Sequence, residues 1–85
     1  MTYHVVVTAE DIAKGERYSA NRCPVALALN RLVPDSSVGY GGDGYKAWIG
    51  DGWASSKPLP PIAQNFVGRF DQGLPVEPFD FTLGG

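Results

Sequence analysis

Apolar and polar residues recur with changing periods along the chain, and these periods predict its elements. A β-branched run over 3–7 is apolar on both faces, which predicts a central strand. Thr8 and Asp11 have the spacing of a capping box, which begins a short helix that Gly15 ends. The polar segment 15–22 has no period and predicts a surface loop.

The clearest helix lies in CPVALALNRLVP, which begins at Cys23. Pro24 suits the first helical position, because its missing N–H would have no partner there and its φ is already helical. Pro34 disfavours helical geometry in the residue before it, so the helix should end there. Apolar residues recur at helical spacing and predict its buried face, formed by Val25, Leu29 and Leu32.

Glycines and aromatic residues dominate the next segment, SSVGYGGDGYKAWIGDGW, over 36–53. Asp43 with Gly44, and Asp51 with Gly52, are turn dipeptides between strand-like pieces. They predict a meander of three strands, at 37–41, 45–49 and, more weakly, 53–57.

A second long helix follows three prolines, Pro58, Pro60 and Pro61. Its apolar stripe is wide enough to cover a sheet and consists of Ile62, Ala63, Phe66, Val67 and Phe70. Gly73 marks the end of this helix. The last strand is predicted over 76–83, where Phe79, Phe81 and Leu83 alternate with polar residues, and Pro78 places its start at a sheet edge.

The order of predicted elements is strand, helix, strand, strand, helix, strand. It fits an α+β two-layer sandwich with both main helices on one face of a mostly antiparallel sheet, and a ferredoxin-like connectivity is one arrangement of it. The chain has 85 residues, of which 44% are hydrophobic, so we expect a single domain over 1–85. A domain of this size has a thin core, so we also expect a homo-oligomer.

Composition narrows the classes of partner. The net charge is −2 and the pI is near 5.1, so there is no global basic field for long nucleic acid. A single cysteine excludes an intrachain disulfide. No apolar run approaches the length of a membrane span and the start lacks the basic region of a signal peptide, so we expect a soluble cytoplasmic protein with no membrane partner.

Two stretches of the chain, CPVALAL and LPPIAQNFVGRFDQGLPVEPFDFTL, together resemble a group of small uncharacterised proteins of bacteriophages and prophages. The resemblance covers most of the chain from Asp11 onward and consists mainly of packing and turn motifs. It implies an accessory protein that acts against host machinery or host defence, and it carries over no active residues.

Candidate catalytic residues are few. Cys23 stands at a helix N-terminus, which can lower the pKa of a thiol and produce a nucleophile or redox sensor. The alternative is a small packed side chain, which we prefer because a nucleophile needs a base and the only histidine, His4, lies in a strand. One histidine and no acidic cluster predict no metal site, so we expect neither an enzyme nor a cofactor.

Binding residues are easier to suggest. The loop before the main helix carries groups that could hold a phosphate at the helix N-terminus, namely Arg17, Ser19, Asn21 and Arg22. The meander carries rings that could stack on a nucleobase and a cation that could neutralise a phosphate, namely Tyr40, Tyr45, Trp48, Trp53 and Lys46. The same rings could instead fill the core or mediate self-association.

Two hypotheses of function follow. The first is a non-enzymatic, phage-type accessory protein with an anti-defence role, which sequesters a small anionic ligand such as a signalling nucleotide. The alternative is a protein–protein inhibitor or adaptor that occludes a host enzyme through the aromatic surface or an acidic face.

Overall fold

The order of elements follows the hydrophobic pattern closely. A computed structural model describes residues 2–41, 44–50 and 56–84. The elements in these ranges are β1 (Thr2–Val7), α1 (Ala9–Lys14), α2 (Pro24–Leu32), β2 (Ser37–Gly41), β3 (Gly44–Trp48), β4 (Ser56–Pro58), α3 (Pro61–Asp71) and β5 (Phe79–Gly84). The α+β class is confirmed.

Helix α2 is the centre of the molecule. Its N-cap is Cys23, whose Sγ accepts the Ala26 N–H at 3.4 Å. It ends at Leu32, where the Val33 N–H donates to the Leu29 carbonyl at 2.8 Å. Leu32 is half exposed, contrary to the predicted stripe, because the last turn of the helix extends beyond the core. The buried face consists of Val25, Ala26, Ala28 and Leu29.

The capping box of α1 is confirmed. The Asp11 N–H donates to Thr8 Oγ1 at 3.2 Å, and the Thr8 N–H donates to Asp11 Oδ2 at 2.9 Å. After the helix, Gly15 lies against the first residue of α2. A Cβ added to Gly15 would lie 2.6 Å from Pro24 Cδ, so only glycine lets the two helices meet this closely.

Among the described residues, the strands form two sheets. Strands β1 and β5 pair antiparallel, with Tyr3 opposite Leu83 and Val7 opposite Phe79. Strands β2, β3 and β4 form a second antiparallel sheet in that order. Ferredoxin-like connectivity requires a single sheet, so that prediction is wrong. Helix α2 contacts both β1 and β2, which joins the two sheets by side-chain packing instead of backbone hydrogen bonds.

Some predicted strand boundaries move, most clearly near the C-terminus. The last strand was predicted over 76–83, but β5 begins at Phe79, because Pro75 and Pro78 have no N–H for a ladder. The weak third strand of the meander is β4, at Ser56–Pro58, and the rest of its predicted range lies outside the described residues.

Helix α3 covers the core with a face slightly rotated from the predicted stripe. Ala63, Phe66 and Val67 are buried and Phe70 is partly buried. Ile62 is half exposed, because its position on the helix is about 100° from the centre of that face. Side chains from both sheets and from α2 and α3 make up one hydrophobic core.

Candidate functional site

A cavity of about 380 Å³ opens where the loop before α2, the β2–β3 hairpin and the end of α3 meet. We call it the tyrosine pocket. Its lining consists of Tyr18, Ser19, Ala20, Cys23, Val38, Gly39, Tyr40, Tyr45, Val67 and Asp71. The pocket combines an apolar floor, three phenol rings and one carboxylate.

The hairpin supplies two of the rings. Alternation along β2 puts Tyr40 on the same face as buried Val38, and alternation along β3 puts Tyr45 on the same face as buried Ala47. The two tyrosines are opposite each other in the register. Their ring centroids are 5.1 Å apart with planes at 83°, a favourable edge-to-face contact. Tyr40 nevertheless remains 74% exposed.

The third ring comes from a strained loop residue. Tyr18 has φ +56°, a left-handed conformation that is uncommon outside glycine and is costly for a bulky side chain. Its N–H donates to Asp71 Oδ1 at 2.9 Å, and the residue is 79% exposed. The loop is also tied to β2, because the Val38 N–H donates to the Ala20 carbonyl at 2.8 Å. The fold thus holds an exposed ring in a costly conformation.

Asp71 gives the pocket its electrostatic character. It is the last residue of α3 and only 8% exposed. A carboxylate at a helix C-terminus faces the negative end of the helix dipole, so this position is unfavourable. Burial, followed by the charge of Asp71, raises the pKa of Tyr45. The Asp71 carboxylate therefore gives the interior of the pocket a negative electrostatic potential.

Cys23 lines the pocket as a packed thiol. Burial is the largest influence and raises the pKa of Cys23, the nearby Asp71 charge also raises it, and backbone hydrogen bonds only partly offset this. His4 lies on the exposed face of the β1–β5 sheet, with its Nε2 2.6 Å from Asp80 Oδ2. Cys23 is thus a buried, packed side chain, as we preferred, and its raised pKa disfavours an activated nucleophile.

Of the eight predicted site residues that lie in the described ranges, three line the tyrosine pocket, and these are Ser19, Tyr40 and Tyr45. Arg17 lies beside the end of α3, because a Cβ added to Gly73 would be 2.8 Å from its Nη1. Arg22 forms an exposed ion pair with Glu16 at 3.3 Å. Asn21 lines a separate polar depression with Asn30, Asp35 and Ser36.

Lys46 and Trp48 occupy the other face of the hairpin. They alternate with Tyr45 along β3, so they cannot share its side of the sheet. A Cβ added to Gly39 would lie 2.9 Å from Trp48 Cζ3, so the indole lies across the glycine of the neighbouring strand. Trp53 lies outside the described residues.

The N-terminus of α2 is poorly suited to the phosphate that the sequence predicted there. Its Ala26 N–H is engaged by Cys23 Sγ at 3.4 Å. The adjoining groups include two carboxylates, Glu16 paired with Arg22 and the buried Asp71. Because like charges repel, a phosphate would be disfavoured inside the pocket and better placed outside it, near Arg17.

A larger concavity lies on the far side of α3, between that helix and the segment 74–78. Its volume is about 690 Å³, and Ile62, Phe66, Arg69, Val76, Glu77 and Phe79 are among its lining residues. It is wide and shallow, whereas the tyrosine pocket is more enclosed and contains the buried carboxylate. We therefore regard the smaller cavity as the better candidate site.

Within the described ranges, no three histidine, cysteine, aspartate or glutamate side chains come close enough to hold a metal ion. In the same ranges, no helix has the length and apolar character needed to cross a membrane. Comparisons with protein-family models, with curated proteins and with solved structures found no match, so the resemblance to phage proteins stays a prediction.

Proposed function

We propose that this chain is a non-enzymatic binding protein that holds a small planar ligand in the tyrosine pocket. The observation that carries the proposal is the exposure of Tyr18 and Tyr40, 79% and 74%, beside a concave apolar floor. A small domain needs large side chains in its core, so two rings left outside around a cavity are typical of a binding site.

The ligand we favour is a nucleotide, sequestered as part of a phage-type anti-defence role. Its base would enter the pocket, where stacking on an aromatic side chain contributes about 1–3 kcal/mol. Its phosphates would remain outside, towards Arg17, because the negative charge of Asp71 repels them from the interior. The ligand class is the one predicted from the sequence. Its base, and not its phosphate, is the part that enters the protein.

Absence of catalysis is part of the proposal. Cys23 brings a thiol to the lining of the pocket, but the pKa of this thiol is raised. The ring of His4 is engaged by Asp80 on another surface. A nucleophile that is neither deprotonated nor next to a base is poorly suited to covalent chemistry.

Calorimetric titration with a panel of nucleosides and nucleotides tests the proposal. We expect at least one of them to bind the wild type, and Tyr40→Ala to weaken that binding roughly 5- to 150-fold, by about 1–3 kcal/mol of lost stacking. Leu32→Ala is the matched control, because it removes a half-exposed apolar side chain from the opposite end of α2. Equal weakening in both variants, or no binding by any compound, would contradict the proposal.

The alternative function is a protein–protein inhibitor or adaptor of a host enzyme. The same exposed rings favour it, because tyrosines are enriched at the centres of interfaces. A pull-down from host lysate with wild type and Tyr40→Ala distinguishes the two. A stoichiometric partner that only the wild type retains, together with no binding of nucleosides, would replace the first function by the second.

A further inference from the structure

The carboxylate of Asp71 still has capacity to accept hydrogen bonds. Its Oδ1 accepts the Tyr18 N–H at 2.9 Å, and within residues 2–41, 44–50 and 56–84 no other hydrogen bond reaches it. In those ranges, no fully buried polar side-chain atom lacks a partner. Asp71 keeps 8% of its surface exposed and lines the tyrosine pocket. A ligand in the pocket can therefore reach this carboxylate.

A carboxylate this deeply buried favours a ligand that donates hydrogen bonds. Burying a charge is costly unless donors are placed against it. An ionised carboxylate only accepts, and its two oxygens match a planar ligand with two adjacent N–H groups. Phosphates and ring carbonyls present acceptors, so the electrostatics of Asp71 oppose them.

Among nucleobases, guanine presents such a donor pair, in its ring N1–H and exocyclic N2 amine. Adenine presents one amine beside a ring nitrogen that is itself an acceptor, which would face a carboxylate oxygen unfavourably. We therefore infer that Asp71 makes the tyrosine pocket selective for a guanine-type ring. This inference rests on the proposed function, because it names the ligand class of the same site.

The dimensions and walls of the pocket fit that ring. A volume of about 380 Å³ lies at the lower end of ligand sites and accommodates a bicyclic base with part of its sugar. Tyr40 and Tyr18 supply aromatic faces beside Asp71, so stacking and donor recognition can act on one base together. The residues required come from three elements that the fold brings together.

The first test uses nucleosides without phosphates and needs no variant. Guanosine, inosine and adenosine are titrated into the wild type by calorimetry. Inosine keeps the N1–H and lacks the N2 amine, so it measures the second hydrogen bond alone. We expect guanosine to bind tightest, inosine roughly tenfold more weakly and adenosine weaker still, by up to about a hundredfold.

The second test exchanges the base preference of the pocket, from guanine to xanthine. Asp71→Asn keeps an oxygen that can accept the Tyr18 N–H and replaces the other by an amide donor. Xanthosine carries a carbonyl where guanosine carries the N2 amine, so the variant should bind xanthosine better than guanosine. The melting temperature of Asp71→Asn is measured in parallel, and a variant that does not fold leaves the nucleoside series on the wild type to decide.

Each outcome has a defined meaning. Adenosine binding as tightly as guanosine, with Tyr40→Ala still weakening both, would overturn the guanine inference and leave the proposed function standing. Binding of tetramethylammonium instead of any nucleoside would overturn both the inference and the proposed planar ligand, because the rings and Asp71 would then form a cation cage. No binding by any of these compounds would overturn both the inference and the proposed function.

Discussion

The ion pair between Asp11 and Arg31 joins three elements, and its removal should destabilise the fold. Both Nη atoms of Arg31 donate to the carboxylate, with Nη2 at 2.7 Å from Oδ2. Nη2 also donates to the Val6 carbonyl of β1 at 2.8 Å. The Thr8 N–H donates to Oδ2 at 2.9 Å. One buried carboxylate thus connects α1 with α2 and, through Arg31, with β1.

Asp11→Asn replaces this carboxylate by an amide that cannot accept all three hydrogen bonds. A hydrogen bond to a charged group contributes about 1.5–3 kcal/mol. The Arg31 side chain is 51% exposed, so solvent screening reduces the contribution of the pair. We expect a loss of about 1–3 kcal/mol in the free energy of unfolding, or roughly 5–20 °C in the melting temperature of a domain this small.

The pKa of Asp11 determines how the stability difference between wild type and Asp11→Asn depends on pH. Burial favours the neutral acid, but hydrogen bonds from Arg31 and Thr8 and the charge of Arg31 outweigh it, so the pKa of Asp11 lies below its usual value. A depressed pKa adds stability above the unfolded-state value of about 3.9. That stability is lost as the pH falls through the folded-state pKa. The difference between wild type and Asp11→Asn should therefore be constant near neutral pH and shrink in acid.

Urea unfolding followed by circular dichroism, repeated from neutral to acidic pH, measures both effects. Glu10→Gln is the matched control, because Glu10 lies on the same helix and its 3.0 Å pair with Lys14 is more than two-thirds exposed on each side. This control should cost a few tenths of a kcal/mol. Equal losses in the two variants, or an Asp11→Asn deficit that persists unchanged in acid, would refute the reasoning.

Other side chains lead to smaller predictions. Since burial raises the pKa of Cys23, iodoacetamide should alkylate the native protein many times more slowly than the denatured protein, and equal rates would contradict this. Asn30→Ala removes the partners of the Ser36 N–H and carbonyl, so thermal unfolding should show a loss of about 1–3 kcal/mol, and an unchanged melting temperature would argue against it. Tyr18→Gly relieves a left-handed φ, so we expect an equal or higher melting temperature with weaker nucleoside binding, and a clear drop in melting temperature would be inconsistent with strain.

Local interactions were predictable from the sequence. The capping box joins Thr8 and Asp11, three positions apart, and Pro24 begins α2 as its missing N–H requires. Both features depend on residues within one helical turn, so their spacing is visible in the chain. The same holds for the faces of the strands, and the separation of Tyr45 from Lys46 could have been foreseen from alternation alone.

Distant pairings were not predictable in the same way. Alternation identifies a strand and its buried face, but it does not identify the partner, and β1 pairs with β5 from the other end of the chain. Asp71 was missed as a site residue because its partner, the Tyr18 N–H, lies 53 positions away. The sequence contained one indication of Asp71 as a site residue. A carboxylate in the last turn of a predicted helix is unfavourable next to the negative end of the helix dipole.

Asp11 and Asp71, the buried aspartates among the described residues, have different roles: Asp11 stabilises the fold and Asp71 belongs to the candidate site. Asp11 stands at a helix N-terminus, where its charge is favourable, and hydrogen bonds from Thr8 and Arg31 satisfy both of its oxygens. Asp71 stands at the unfavourable end of α3, accepts from a residue in a left-handed conformation and faces a cavity. Natural sequences tend to break local rules where function requires it. Two such departures, at Asp71 and Tyr18, coincide at the tyrosine pocket, which is the physical reason to look for a ligand there.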